Sequence, residues 1–317
     1  TNAHLSPEMG YGRGFDRYKC IGFTSADSVN RSVLRWKSVI GNGKGPWFLW
    51  IHYYDPHHPY QEQRPWFREF VPDVTRADAP LIQSAKGQPP KAPQRGTKAA
   101  DRFVVLARGL YDAEVRHTDE AIRNLFREMP ELGDAVIVMA GDHGEEFLEH
   151  GNTGHCRNLN GETVRVPLFI RHPESGGAGR RNDPVSLVDM PATLLALGGG
   201  RWPVPSPGVS LLGPPSAGRT LLAQLERNRE YGLDEAVIGP RWKFILNRLS
   251  KKTQLYDIAA DRAESRNLVQ SNAADVETQR ALLEALLKGL APPPAVVEKR
   301  TLSKEVEAQL RGAGYIH

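Results

Sequence analysis

The stretch that most constrains this chain runs from Ala135 to Pro173, AVIVMAGDHGEEFLEHGNTGHCRNLNGETVRVPLFIRHP. It opens on an apolar run to Ala140 and closes on a second, Val166 to Arg171. Such short runs, bounded by glycine and proline, predict buried strands. The polar loop between them begins Gly141-Asp142-His143-Gly144. Open α/β sheets bind ligands outside the carboxyl ends of their strands, and Asp142 and His143 stand at such an end. A carboxylate beside an imidazole offers a divalent metal one hard oxygen and one borderline nitrogen. The competing reading is a turn in which Asp142 caps backbone amides and His143 is a surface residue.

The same loop carries Glu145, Glu146, Glu149, His150 and His155. The glutamates read as solvated, with salt bridges inside the loop as the alternative. His155 follows Gly154, which permits close approach of backbone to a ligand. An imidazolium there can grip an anion. Cys156 reads as a small buried filler, since nothing local marks it as an activated nucleophile. One Asp-His pair is far from a full shell, because Ca²⁺ takes six or more oxygens. The remaining ligands have to come from elsewhere.

A second constellation lies upstream. Pro46 to Tyr54, PWFLWIHYY, predicts a strand buried on both faces, with His52 inside it as a core or supporting residue. Asp55-Pro56-His57-His58-Pro59-Tyr60 ends that strand. Its two prolines forbid further ladder pairing and make a rigid turn that presents His57 or His58.

Around these sites the pattern predicts an α/β domain. Residues 24–40 predict a helix capped by Ser28 or Asn30. Residues 72–100 hold five prolines and predict a long surface loop. Asp101 to Met129 predicts an amphipathic helix burying Phe103, Leu106, Leu110, Val115, Thr118, Ile122, Leu125 and Met129. The strand to Ala140 follows at once, an α-to-β step of a doubly wound sheet. Asp189 to Gly198 predicts a short buried helix. The Pro- and Gly-rich Gly199–Gly218 segment predicts a boundary. Beyond it, Glu235–Ile238, Trp242–Asn247 and Gln254–Asp257 predict an antiparallel meander. Helices follow near Ala273–Leu290 and Ser303–Arg311.

The totals exclude several classes. The 317 residues allow one large α/β domain with a small appendage. Net charge is +4, from 41 basic and 37 acidic residues that are well mixed. That excess reads first as a slightly basic solvated surface, with help to an approaching anionic substrate as the alternative. No dense basic run with interleaved aromatics appears, so the chain lacks a nucleic-acid footprint. Two cysteines make no disulfide framework. No apolar run approaches the ~20 residues that span a bilayer.

Taken in order, these motifs resemble the formylglycine-dependent sulfatases of the alkaline phosphatase superfamily. Gly141-Asp142-His143-Gly144-Glu145, Glu149-His150-Gly151 and Gly154-His155 carry the most specific part of the resemblance. Gly12-Arg13-Gly14-Phe15-Asp16, Pro46–Tyr60, Tyr111-Asp112-Ala113-Glu114, Arg165-Val166-Pro167-Leu168, Trp242–Ile245 and Leu255-Tyr256-Asp257 to Asn267-Leu268 extend it. The resemblance implies a mostly parallel α/β sheet flanked by helices, with a small C-terminal antiparallel-sheet subdomain. Residues 1–218 would be the C-terminal part of the catalytic domain, and 219–317 the subdomain. Asp142 and His143 match a pair of metal ligands, usually for calcium. His57 matches a histidine that contacts the sulfate. His155 matches a position where other members use lysine.

The family also has an Asp-Asp metal pair and a Cys-or-Ser-x-Pro-x-Arg motif whose Cys or Ser becomes formylglycine. This chain has no Asp-Asp pair, and neither Cys20 nor Cys156 is followed by the required proline and arginine. The chain therefore reads as a fragment of a longer sulfatase, inactive alone, with the formylglycine in a missing N-terminal part. Poor solubility or a molten state is expected of it. The substrate implied is a small-molecule or saccharide sulfate ester; the compartment is not read from the sequence, and the family is compatible with a periplasmic or extracellular one. A phosphonate or phosphate diester hydrolase and a non-catalytic remnant are the alternatives.

Overall fold

The computed structural model describes residues 5–40, 45–60, 65–82, 92–173, 179–200, 207–216, 218–228, 232–290, 302–304 and 306–308. It divides into two compact units, Thr1–Ala135 with Pro294–His317, and Val136–Pro293.

The first unit is built on helices α1 (Ala26–Leu34), α2 (Phe67–Phe70), α3 (Ala79–Ile82) and α4 (Lys98–Glu128). Thr97 caps α4 by accepting from the Ala100 N–H. Its apolar stripe buries Phe103, Leu106 and Leu110, the latter two clustered with Phe67 and Val71. Farther along, Leu125 and Met129 pack with Val29, Val33 and Ile40. Gly109 lets α2 close on α4, since a Cβ there would lie 2.2 Å from Val71 Cγ2. Val115, expected on the buried stripe, is exposed, while Glu114 and His117 are buried. The stripe follows the neighbours available to it, which helical spacing alone does not reveal.

Helix α1 is shorter than expected, with turns continuing to Ile40. Ser28 and Asn30 lie inside it rather than at its cap. Its first N–H, on Ala26, donates to Asp55 Oδ2 at 2.9 Å. A cap supplied from so far along the chain leaves no local sequence signal. Buried Asn30 ties the unit together. Its amide donates to the Ala121 carbonyl at 2.6 Å, and its oxygen accepts from Tyr53 Oη at 2.8 Å. Burial holds the Tyr53 phenol well above its ordinary pKa.

The segment expected as a strand over Pro46–Tyr54 runs without a ladder among the described residues. It is buried on one side only. Leu49, Ile51 and Tyr53 pack on the α1–α4 core. Phe48 and Trp50 stay exposed and stack on Phe15, with centroids 5.9 and 6.3 Å away. Part of the loop expected over 72–100 is helical as well. Thr75 and Asp78 form a capping box. Arg102 of α4 clamps that turn through Asp78 at 2.8 and 2.7 Å and Asp73 at 3.1 and 3.0 Å. Residues 83–91 lie outside the described residues.

The second unit begins with the organising stretch. It contains β1 (Ile137–Ala140), β2 (Glu146–Phe147), β3 (Thr153–Gly154), α5 (Gly161–Val164) and β4 (Leu168–Arg171). Strand β1 pairs antiparallel with β4, Ile137 opposite Arg171 and Ala140 opposite Leu168. Neither is the buried strand expected, because the pair has no further strand in its ladder among the described residues and Met139, Phe169 and Ile170 stay exposed. Helix α6 (Asp189–Leu197) forms and stops at Gly198 as expected, but it is not the buried helix predicted: only Asp189 and Thr193 are buried, and its apolar side chains are partly covered or exposed. Asp189 is fully buried and accepts from Arg219 at 2.6 and 2.8 Å and from the Ser186 and Val209 N–H groups. The described part of the Gly199–Gly218 segment is thereby stitched to α6.

Strands β5 (Leu221–Asn228), β6 (Gly232–Ile238), β7 (Trp242–Asn247) and β8 (Thr253–Asp257) form the expected antiparallel meander. It has one strand more than the sequence suggested. Leu221–Asn228, LLAQLERN, is mostly helix formers, and pairing with β6 overrides that propensity. Helix α7 (Ala273–Lys288) covers one face, where Val237, Phe244, Leu246 and Leu255 meet Val276 and Leu283. The alternate residues Ala236, Ile245 and Tyr256 pack on Leu159, just before α5. The helix expected over Ser303–Arg311 falls mostly outside the described residues.

Lys243 lies on that second face. Its Nζ donates to both oxygens of Glu264, at 2.9 and 3.0 Å. The residues are 1% and 2% exposed. Burial pulls the lysine pKa below its ordinary value, against the opposing pull of Glu264. Removing one member of such a pair strands a buried charge. Glu264→Ala is therefore expected to cost about 3–5 kcal/mol in urea unfolding. Lys243→Met with Glu264→Gln is expected closer to wild type than Glu264→Ala. Equal stability of Glu264→Ala and wild type would contradict this.

Candidate functional site

The loop after β1 has little regular structure, so buried polar groups shape it. Gly144 donates its N–H to the Thr163 carbonyl at 2.8 Å. A Cβ at Gly144 would lie 2.0 Å from the Glu162 carbonyl oxygen, so only glycine lets the turn seat against α5. Glu146, read from sequence as solvated, is fully buried. Its Oε1 accepts from the His150 and Asn152 N–H groups at 2.9 and 2.7 Å, and its Oε2 from Asn158 Nδ2 at 2.7 Å. Strands β2 and β3 form a two-pair ladder around it, Glu146 opposite Gly154 and Phe147 opposite Thr153.

His150 ties this loop to the four-stranded sheet. Its Nδ1 meets Glu162 Oε1 at 2.6 Å, and its Nε2 donates to the Glu264 carbonyl at 3.0 Å. Burial alone would lower the imidazole pKa. The Glu264 carbonyl and the Glu162 carboxylate together outweigh it and hold the pKa above the ordinary value. Asn160 adds a further tie, its amide donating to Glu264 Oε2 at 2.9 Å.

On this scaffold sit three of the residues singled out from sequence. Asp142 is exposed and accepts from the His143 N–H at 3.0 Å. That cap was the competing reading of the turn, and it leaves other carboxylate lone pairs for a ligand. His143 Nδ1 donates to the Gly144 carbonyl at 2.9 Å, and its Nε2 lies 3.9 Å from Asp142 Oδ1. The His143 and His155 rings stack, with centroids 3.9 Å apart and planes 28° from parallel. His155 Nδ1 lies 2.9 Å from Glu145 Oε1. Glu145 is not solvated either, its side chain being 5% exposed.

Asp142 and His143 thus supply a hard oxygen and an imidazole nitrogen, a donor pair that suits a divalent cation. Among the described residues, no group of three or more His, Cys, Asp or Glu is placed to share one ion. Cys156 is exposed with φ 60°, contrary to the buried filler expected. Its thiol is desolvated enough to hold its pKa above the ordinary value, which disfavours the thiolate.

His57 belongs to the first unit. Its N–H donates to the Tyr54 carbonyl at 3.0 Å, closing the turn, and its ring lies 4.5 Å from that of Tyr54. Tyr54 Oη donates to the His58 carbonyl at 3.1 Å. Both X-Pro bonds of the turn, Asp55-Pro56 and His58-Pro59, are cis. Sequence reasoning passed over His117. It is buried on α4 with Nε2 3.5 Å from Asp27 and 3.9 Å from Asp55. A lone histidine inside a helical pattern gives no signal of that setting.

Residues 12–200 match the profile of the Sulfatase family, and the chain belongs to that family. PehA of Trinickia caryophylli, a multifunctional alkaline phosphatase superfamily protein, is 28% identical over 57% of this chain and 41% of its own. The uncharacterized sulfatase YidJ of Escherichia coli K12 is 24% identical over 84% of this chain and 56% of its own. The chain thus spans about half the length of the curated relatives it matches. Among solved structures, the phosphonate monoester hydrolase of Agrobacterium radiobacter gives a TM-score of 0.66 at 20% identity, over 89% of this chain and 66% of its own. BT4656, bound to its substrate D-glucosamine-2-N,6-O-disulfate, gives 0.65 at 18%, over 83% and 69%. The fold is alkaline-phosphatase-like.

Two outcomes follow from the loop's geometry. His150 is more basic folded than unfolded, so the stability it contributes is full below the ordinary pKa of about 6.5. It is lost as pH rises through the higher folded value. Denaturant unfolding should therefore show stability declining across that window, and His150→Gln should flatten this component. Gly144→Ala should lower Tm through the clash with α5, and an unchanged Tm would refute the close approach.

Proposed function

We propose that the protein containing this chain hydrolyses sulfate esters, and that Asp142, His143, His155 and His57 serve that reaction. The observation that carries this reading is the loop after β1. It presents Asp142 and His143 side by side, with the His155 imidazole stacked on His143. Family membership supports the chemistry at the level of a hydrolase.

Asp142 and Nε2 of His143 would hold a divalent cation, Ca²⁺ being the expected one. When bound, such an ion acts as a Lewis acid on the ester's oxygens. Residues of the chain would supply contacts and a proton. His155 donates a charge-assisted hydrogen bond to a sulfate oxygen, strongest where negative charge develops. His57, on its turn in the first unit, is assigned a sulfate contact by the resemblance to the family. An imidazole of this set protonates the leaving alkoxide. The nucleophile, a formylglycine, lies outside these 317 residues, and the chain alone is inactive. The substrate is a sulfate ester of a small molecule or saccharide; the sulfated sugar held by BT4656 supports the saccharide form.

A second reading is phosphonate or phosphate ester hydrolysis, favoured by the likeness to the Agrobacterium radiobacter enzyme. The test is turnover of paired aryl sulfate and aryl phosphonate esters by the full-length protein. We expect the sulfate to be preferred, and His155→Ala to lower kcat by ~10²–10³-fold, as for loss of an oxyanion donor. Asp142→Asn should also lose metal on dialysis, read by elemental analysis. Preference for the phosphonate would replace the first reading with the second. Turnover of neither, with no metal retained, would leave a non-catalytic remnant.

A further inference from the structure

We propose that Glu145 is a positioning residue that sets the orientation and tautomer of His155. The proposal rests on the reading of His155 as a contact to the ester's anionic group. The register of the β2–β3 ladder carries it. Glu146 faces Gly154 and Phe147 faces Thr153, and the next pair in that register is Glu145 with His155. Glu145 Oε1 reaches His155 Nδ1 at 2.9 Å. The carboxylate is 5% exposed and the imidazole 14%, so water competes little for the bond.

A carboxylate at Nδ1 accepts a hydrogen bond, so Nδ1 carries the neutral ring's hydrogen and Nε2 is the nitrogen that takes up the further proton with which the imidazolium donates to the ester's anionic group. The stack on His143 at 3.9 Å restrains the ring face, while Glu145 restrains the ring in its plane. Gly154 lies beside this contact with φ 83°, a left-handed backbone that favours glycine. The two adjacent glutamates divide their work. Glu146 holds the loop's backbone, accepting from His150, Asn152 and Asn158. Glu145 holds a side chain of the site. Removing Glu145 therefore leaves the loop its main anchor.

The experiment compares wild type, Glu145→Ala and Glu145→Gln in the full-length protein. Long-range ¹H–¹⁵N spectra of the His155 ring report its tautomer without turnover. We expect Nδ1–H in wild type and in Glu145→Gln, whose amide oxygen still accepts, and a mixture of tautomers in Glu145→Ala. In steady-state kinetics, Glu145→Ala should lower kcat by ~10–100-fold, the range for carboxylates that orient functional histidines. KM should change little, and Glu145→Gln should recover most of the loss. Identical ring signals and kcat in wild type and Glu145→Ala would overturn the proposal. So would loss of the cooperative melt in Glu145→Ala, which would make the residue purely structural. If wild type cleaves an aryl phosphonate and not an aryl sulfate, the sulfate reading fails. The ratio of variant to wild type on that phosphonate then decides the role of Glu145.

Discussion

The second unit depends on the buried charge of Glu264. Its carboxylate takes Lys243 from strand β7 and Asn160 from the segment before α5, and its carbonyl takes His150 from the loop after β1. One residue thus ties together three stretches distant in sequence. A buried carboxylate is tolerable only when its lone pairs are matched, and here lysine and amide donors match them. The meander supplies rigidity through regular pairing. The loop has almost none of its own, so it borrows rigidity through this junction. Leu159 adds apolar contact to Ala236, Ile245 and Tyr256 at the same place.

Local constraints then refine what the junction coarsely positions. Gly144 lets the Asp-His turn approach α5 at a distance no side chain permits. Glu146, itself fully buried, accepts from two backbone donors of the loop, the His150 and Asn152 N–H groups. The short ladder that follows fixes which residues face each other across the loop. A slip of one residue would exchange the faces of Glu145 and Glu146 and dismantle both the anchor and the His155 contact.

In the first unit, Asp55 plays a comparable part. It satisfies the first N–H of α1 while starting the turn that carries His57. The position of a candidate anion contact is therefore coupled to a helix terminus, where a carboxylate is electrostatically favoured. The residues on either side of the turn are aromatic. Tyr54 packs against the His57 ring and closes over the turn through the His58 carbonyl.

Much of this was legible in sequence wherever one periodicity decided the outcome. The 3.6-residue spacing of α4, the short strand runs and turns of β6 to β8 and the glycines around Asp142 announced themselves. What stayed hidden depended on partners far along the chain. Glu146 and Glu145 look like solvated loop charges because burial of a carboxylate is decided by its donors, and those stand on other segments. Val115 looks apolar enough for the core, yet among the described residues the face it occupies stays exposed. Leu221–Asn228 has helical composition, and only its pairing with β6 makes it a strand. The Asp-His motif was readable because it is contiguous, whereas the carboxylates that hold its surroundings are not. A site of this kind shows its ligand-facing residues in the sequence before it shows the buried charges that keep them in place.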